Sequence, residues 1–238
     1  MGMTLEAFVD GVRTAYGADL VTVVLYGSAA GRDYHGPDSG HNVLVLARDV
    51  NTSHLHAMSG VVQQWIKAGN PPPLLLTSAE WRASSDVFSL EYADVLERHR
   101  VLTGEFPIQG IQVRRSNIRQ QLETEAMGKL LRLRRGVMSA GDDTVVLREL
   151  LDDALPSLLA LFRGVIRLHG EAVPASSEAL CDRVAALAGF SAAEFRTALE
   201  QRRGTRKITD AEVRAGMRGF HEALEKLVAH VDAFVVHD

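Results

Sequence analysis

Gly27-Ser28 is the dipeptide with the clearest chemical use in the chain. It ends an apolar, β-branched run over residues 21–26, and eleven residues (29–39) separate it from Gly40-His41-Asn42. Glycine lets a backbone turn sharply and approach a ligand, and successive amides in such a turn, helped by the Ser28 hydroxyl, can donate to an anion such as a phosphate. Arg32 stands four residues on as a possible phosphate contact. Bland readings sit beside these: Ser28 as a turn residue capping a short helix, and Arg32 as a solvated loop residue. For Ser28 the phosphate-loop reading suits the preceding strand and the spacing better; for Arg32 the solvated reading stands ahead. Gly40-His41-Asn42 runs straight into a second apolar segment, residues 43–47, and Asp38 precedes it on the same strand parity if the strand extends that far.

The elements that must position these residues follow from periodicity and caps. Residues 4–16 read as a helix capped by Thr4 and ended by Gly17, with Leu5, Phe8, Val9 and Val12 on one face. The run 21–26 lacks clean alternation, as expected of a strand covered on both faces. Asn51-Thr52-Ser53 offers caps for a helix to about Lys67, lined by Leu55, Met58, Val62 and Ile66. Gly69-Asn70 and three prolines then lead into a strand at 74–76. Residues 88–92 alternate and predict a further strand, followed by a short helix at 93–100. Beyond Arg114 only helical patterns appear, at about 116–139, 144–169, 177–187 and two more. Ser191-Ala-Ala-Glu194 and Thr209-Asp-Ala-Glu212 start the last two as capping boxes, with Phe190–Phe195 and Ile208–Val213 as staples. Apolar positions include Leu122, Met127, Leu130, Leu131 and Leu133 on the first of these helices. Alternating strands and helices followed by helices alone predict an α/β domain over 1–112 and an all-α helical bundle over 113–238.

The Gly-Ser turn and its spacer resemble the polymerase-beta-type nucleotidyltransferase superfamily, whose signature is a hydrophobic residue, Gly-Ser, a spacer, then Asp-hydrophobic-Asp/Glu-hydrophobic. Tyr26-Gly27-Ser28 and the spacer match. The acidic pair does not: Gly40 occupies the first aspartate's place, His41 the hydrophobic position and Asn42 that of the second acid. A small α/β domain before a helical substrate-binding bundle is similar to the kanamycin-nucleotidyltransferase branch. The resemblance implies a mixed sheet and transfer of a nucleotidyl group from a nucleoside triphosphate to an unknown small-molecule or protein acceptor. It also implies magnesium or manganese as the cofactor and a third carboxylate on a late strand, matched by Glu91, with Asp94 second.

Magnesium takes oxygen ligands in a tight octahedron that normally includes one or two carboxylates. With Gly40 and Asn42 in the acid positions, the surviving candidates for metal and catalysis are Asn42, Glu91 and Asp38. Transfer is expected to be weak or absent, leaving a non-catalytic nucleotide- or protein-binding module as the alternative. His41 prefers transition metals and supports a manganese-type variant of the site. A different-class reading rests on Arg163 and His169, which, with five residues between them, are similar to an RNA-cleaving motif of helical toxin–antitoxin domains.

Bulk properties narrow the partners. Residues 1–112 carry 7 Lys/Arg against 12 Asp/Glu, and residues 113–238 carry 19 against 18, so neither half has the basic field that recruits nucleic acid. A single cysteine, Cys181, excludes an internal disulfide. Residues 1–20 lack the continuous apolar block of a secretory signal, and no run of about 20 apolar residues spans a bilayer. A cytoplasmic protein without membrane partners is the expectation.

Overall fold

The computed structural model describes residues 2–30 and 40–236. The chain divides into two compact units, Met1–Val113 and Arg114–Asp238. The first is a mixed four-stranded sheet with helices on both faces. Strands β1 (Leu20–Tyr26), β2 (Asn42–Ala47), β3 (Leu74–Thr77) and β4 (His99–Gly104) lie in the order β3-β2-β1-β4. β1 is antiparallel to both β2 and β4, while β2 and β3 are parallel.

The unbroken apolar run of β1 has the predicted cause. Val23 and Leu25, with Val43, Val45 and Ala47 of β2, pack under α1 (Leu5–Tyr16) and α2 (Thr52–Lys67), where Phe8, Val12 and Trp65 fill the layer. Val24, Leu44 and Leu46 face the other way, against Trp81 of α3 (Ser78–Ala83) and Tyr92 and Val95 of α4 (Ser89–Glu97). Local side chains define the helix ends, as Thr4 accepts from the amide of Ala7 and Asn51 from that of His54.

Two expectations for this unit need correcting. Residues 88–92 are not a strand, because Ser89 begins helix α4. Five alternating residues fit either period. The helix wins by burying Ser89, Tyr92 and Val95, which lie three apart; the Ser89 hydroxyl donates to the carbonyls of Ser85 and Asp86, and Tyr92 stacks on Trp81 at 4.1 Å. On α2, Leu55 and Ile66 are exposed and the buried face is built on Met58 and Trp65. Trp65, tilted against Phe8 at 4.3 Å, sets the helix rotation.

The second unit is helical: α5 (Arg115–Ala140), α6 (Thr144–Leu168), α7 (Ser177–Ala188), α8 (Ala193–Arg202) and α9 (Asp210–Asp232). α5, α6 and α9 pack on one another. α6 carries the largest buried share, from Leu147 to Leu168, as its nearly all-round apolar sequence requires. α9 opens on a true capping box, with Thr209 accepting from the Glu212 amide at 3.3 Å and Glu212 from the Thr209 amide at 2.7 Å. α8 does not. Ala192 is its cap and Ser191 stands one residue outside, bonding the Ala193 amide at 3.2 Å and the Glu194 carboxylate at 3.0 Å. On α5, Met127 and Leu131 are exposed, and Ile118, Leu122, Ala126, Leu130 and Leu133 form the buried stripe.

Candidate nucleotide site

β1 ends where Gly27 takes a φ of 75°, and a 3-10 turn follows over Gly27–Ala30. Only glycine adopts that conformation without penalty. The Gly27 amide is not available to an anion as expected, because it donates to the carbonyl of Arg98 at 3.0 Å and so ties the turn to the start of β4. Its other contribution is the missing side chain. A Cβ at Gly27 would lie 3.3 Å from Nδ2 of Asn42, so the Asn42 amide group rests against the turn. The register explains this, since Asn42 pairs with Tyr26, the residue before Gly27. Gly27 and Asn42, singled out from sequence, are brought together.

Gly40 is placed differently from the strand position that the resemblance implied. β2 begins only at Asn42, so residue 40 is not on the strand and does not share a projecting face with Asn42. A Cβ on residue 40 would meet the carbonyl oxygen of Gly69 at 2.7 Å, Cα of Asn70 at 2.8 Å and Cδ of Pro71 at 2.8 Å. The space a carboxylate would need is filled by the connection between α2 and β3.

His41 belongs to that same wall. Its backbone amide donates to Oδ1 of Asn70 at 2.9 Å, its Nδ1 lies 3.1 Å from the same oxygen, and its ring is tilted toward Trp65 at 5.9 Å. Its Nδ1 is therefore committed to Asn70, which the metal-ligand alternative did not foresee. Asn70 was missed as a site-shaping residue. Its place in Gly69-Asn70-Pro71 marked it only as a turn.

Glu91 lies in the first turn of α4, half-buried, and not on a strand; Asp94 follows one turn later, also half-buried. α4 borders the Gly27–Ala30 turn, so Glu91 stands on an element beside it. Neither acid is free. The side chain of Ser28, together with Arg32 and Asp38, lies outside the described residues. Among the described residues no three His, Cys, Asp or Glu side chains converge as metal ligands. The Asn42 amide and the glycine at 40 do not fit magnesium's preference for carboxylate oxygens in an octahedral cage.

The strongest electrostatic perturbation in this unit is Tyr92. Burial, with Asp86 and Glu80 adding to it, pushes its phenol up to about 12 while the hydroxyl donates to the carbonyl of Trp81 at 2.7 Å. This is a packing anchor and not a reacting group. In the second unit, Arg163 is half-buried on α6, and His169, just past that helix, turns Nε2 to Nε2 of His230 at 2.8 Å. The nitrogen that an RNA-cleaving histidine would present is engaged there, and nothing else favours that reading.

No family model matches the chain, and no curated protein matches its sequence. Among solved structures, it is similar to the spectinomycin adenyltransferase AAD(9) from Enterococcus faecialis, determined with ATP and spectinomycin. The TM-score is 0.61 at 10% identity, covering 96% of this chain and all of that one. The fold is therefore the nucleotidyltransferase fold: an N-terminal α/β unit followed by a helical one. No helix among the described residues is long and apolar enough to cross a membrane.

Proposed function

We propose that the chain is a nucleotidyltransferase-fold protein that holds a nucleoside triphosphate at the Gly27–Ala30 turn and transfers its nucleotidyl group weakly or not at all. The carrying observation is the wall behind Gly40, whose side-chain direction is filled by backbone at 2.7 to 2.8 Å while a neutral amide, Asn42, occupies the place beside the turn. Transfer of a nucleotidyl group needs a divalent metal to neutralise charge on the triphosphate, and neutral side chains hold such a metal weakly. Any metal held here would rest on Asn42, Glu91 and Asp38, with Ser28 and Arg32 as the phosphate contacts and Gly27 shaping the turn. The neighbour's ATP and spectinomycin support a nucleotide and a small-molecule acceptor as the partner classes. In this reading the α/β unit serves the nucleotide and the helical unit the acceptor. A cytoplasmic setting suits both.

Calorimetry with ATP, with and without magnesium, together with a labelled-nucleotide transfer assay, tests this reading. The expected result is ATP binding that survives metal removal, without transfer above background. Vigorous magnesium-dependent turnover that is lost in Glu91→Ala would overturn it. Binding of no nucleotide, alongside stable capture of a protein partner, would select the pure interaction module.

A further inference from the structure

We propose that His169 and His230 form a proton-operated clasp that holds the end of α9, and the chain just beyond it, against the end of α6, and that a second proton entering the pair opens it. His169 caps the C-terminus of α6 and His230 lies in the last turn of α9. Their Nε2 atoms are 2.8 Å apart, and the rings stack at 5.1 Å with 17° between planes. Phe234 sets its ring edge-on to His169 at 4.8 Å. Arg119 of α5 completes the corner, donating Nε to the carbonyl of Phe234 at 2.9 Å and Nη2 to that of Asp232 at 2.8 Å.

Two ring nitrogens at hydrogen-bond distance need one proton between them, one nitrogen donating and the other offering its lone pair. The neutral pair satisfies this. A singly charged pair also does, since one imidazolium can donate to one neutral ring. With two protons both Nε2 atoms become donors, and two positive rings face each other with no acceptor between them.

The surroundings decide how hard that second proton is to add. The C-terminal carbonyls of α6 and the Glu171 carboxylate favour charge on His169. Glu171 is held through both oxygens by Arg183 of α7, at 2.8 and 2.5 Å, and Arg183 opposes that charge. Arg119, paired to Glu123 at 3.2 Å, brings further positive charge to the carbonyls beside His230, and the Arg115 guanidinium of α5 lies against Gly170, next to His169. Burial, the largest cause at each ring, lowers the proton affinity of both, and His169 lowers that of His230 further.

An unfolded histidine takes up its proton near 6.5 and the folded pair only at lower pH, so below that value the unfolded state binds more protons. The clasp's stabilisation is therefore complete above the unfolded value and lost as pH falls through the folded ones.

The test is imidazole and amide nitrogen NMR of the full chain, in buffer with a chelator, from about pH 8 to about pH 4.5, with hydrogen exchange corrected for its intrinsic pH dependence. The expected result is two separated ring titrations, with the Phe234 amide moving with the second. Protection at amides 230–234 should fall at least about tenfold across that step. In His169→Gln and in His230→Gln the remaining ring should titrate in one step, and the Phe234 response should vanish. Rings that titrate independently at a common value, with Phe234 unmoved, would overturn the proposal. So would a Phe234 response that persists unchanged in both variants. If either variant fails to fold, the wild-type titration decides alone.

Discussion

Gly40→Ala is the smallest perturbation that tests whether packing alone requires glycine at residue 40. The added methyl would stand 2.7 Å from the Gly69 carbonyl oxygen and 2.8 Å from both Asn70 Cα and Pro71 Cδ. None of these is the far end of a flexible side chain. The wall is also pinned, because Trp65, fully buried, donates its indole N–H to the Pro71 carbonyl at 3.0 Å, while Asn70 bonds the Trp65 carbonyl through Nδ2 at 3.3 Å and the His41 amide at 2.9 Å. Forcing one extra carbon into such packing costs about 1–3 kcal/mol. For a unit of this size that is a drop of roughly 4–15 °C in melting midpoint. Differential scanning calorimetry reads the midpoint, and urea titration checks that the slope is unchanged. Asn42→Asp should be tolerated much better, since the two side chains are nearly isosteric. The double variant Gly40→Asp, Asn42→Asp should therefore be destabilised and still fail in labelled-nucleotide transfer. A Gly40→Ala protein that melts with the wild type, or a double variant that transfers nucleotide with magnesium, would refute the wall.

Three further outcomes follow from the same geometry. Gly104→Ala should cost more than about 3 kcal/mol in urea unfolding, because Gly104 has a φ of 77° and a Cβ there would fall 1.9 Å from the Val21 carbonyl oxygen. Tyr92 releases its proton near 10.0 when unfolded but only at about 12 when folded, so between those values the unfolded state binds fewer protons and stability falls as pH rises. The loss should approach about 2–3 kcal/mol, absent in Tyr92→Phe, with phenolate absorbance reporting the titration. Cys181 is buried and its thiol is pushed up to about 12, so it should resist a thiol reagent at neutral pH until denaturant exposes it.

What could be read from sequence was what short-range chemistry decides. Thr4, Asn51 and Thr209 announce helix starts because each side chain bonds an amide three residues ahead, and the apolar run of β1 announces a two-faced strand because both faces are indeed covered. Ser191 shows the limit even there: its Glu194 partner is present, yet the helix begins at Ala193 and the box does not close on the backbone. Residues 88–92 failed for a long-range reason, since what makes them helical is the burial of Tyr92 against Trp81.

The candidate site divides along the same line. Gly27 and Asn42 meet because strand register, set by the spacing of two apolar runs, puts Asn42 opposite Tyr26. The bond from the Gly27 amide to Arg98 and the wall of Gly69, Asn70 and Pro71 at residue 40 join segments distant in the chain, which no local pattern records. Under the proposed function, the lack of a carboxylate at residue 40 is not something a single substitution would reverse. Trp65 anchors the connection that closes residue 40, and Trp65 is also a fully buried part of the core between the sheet and α1 and α2. Opening the position means repacking the layer that holds β1 and β2 together, so in this chain the folded state and a carboxylate at residue 40 pull in opposite directions.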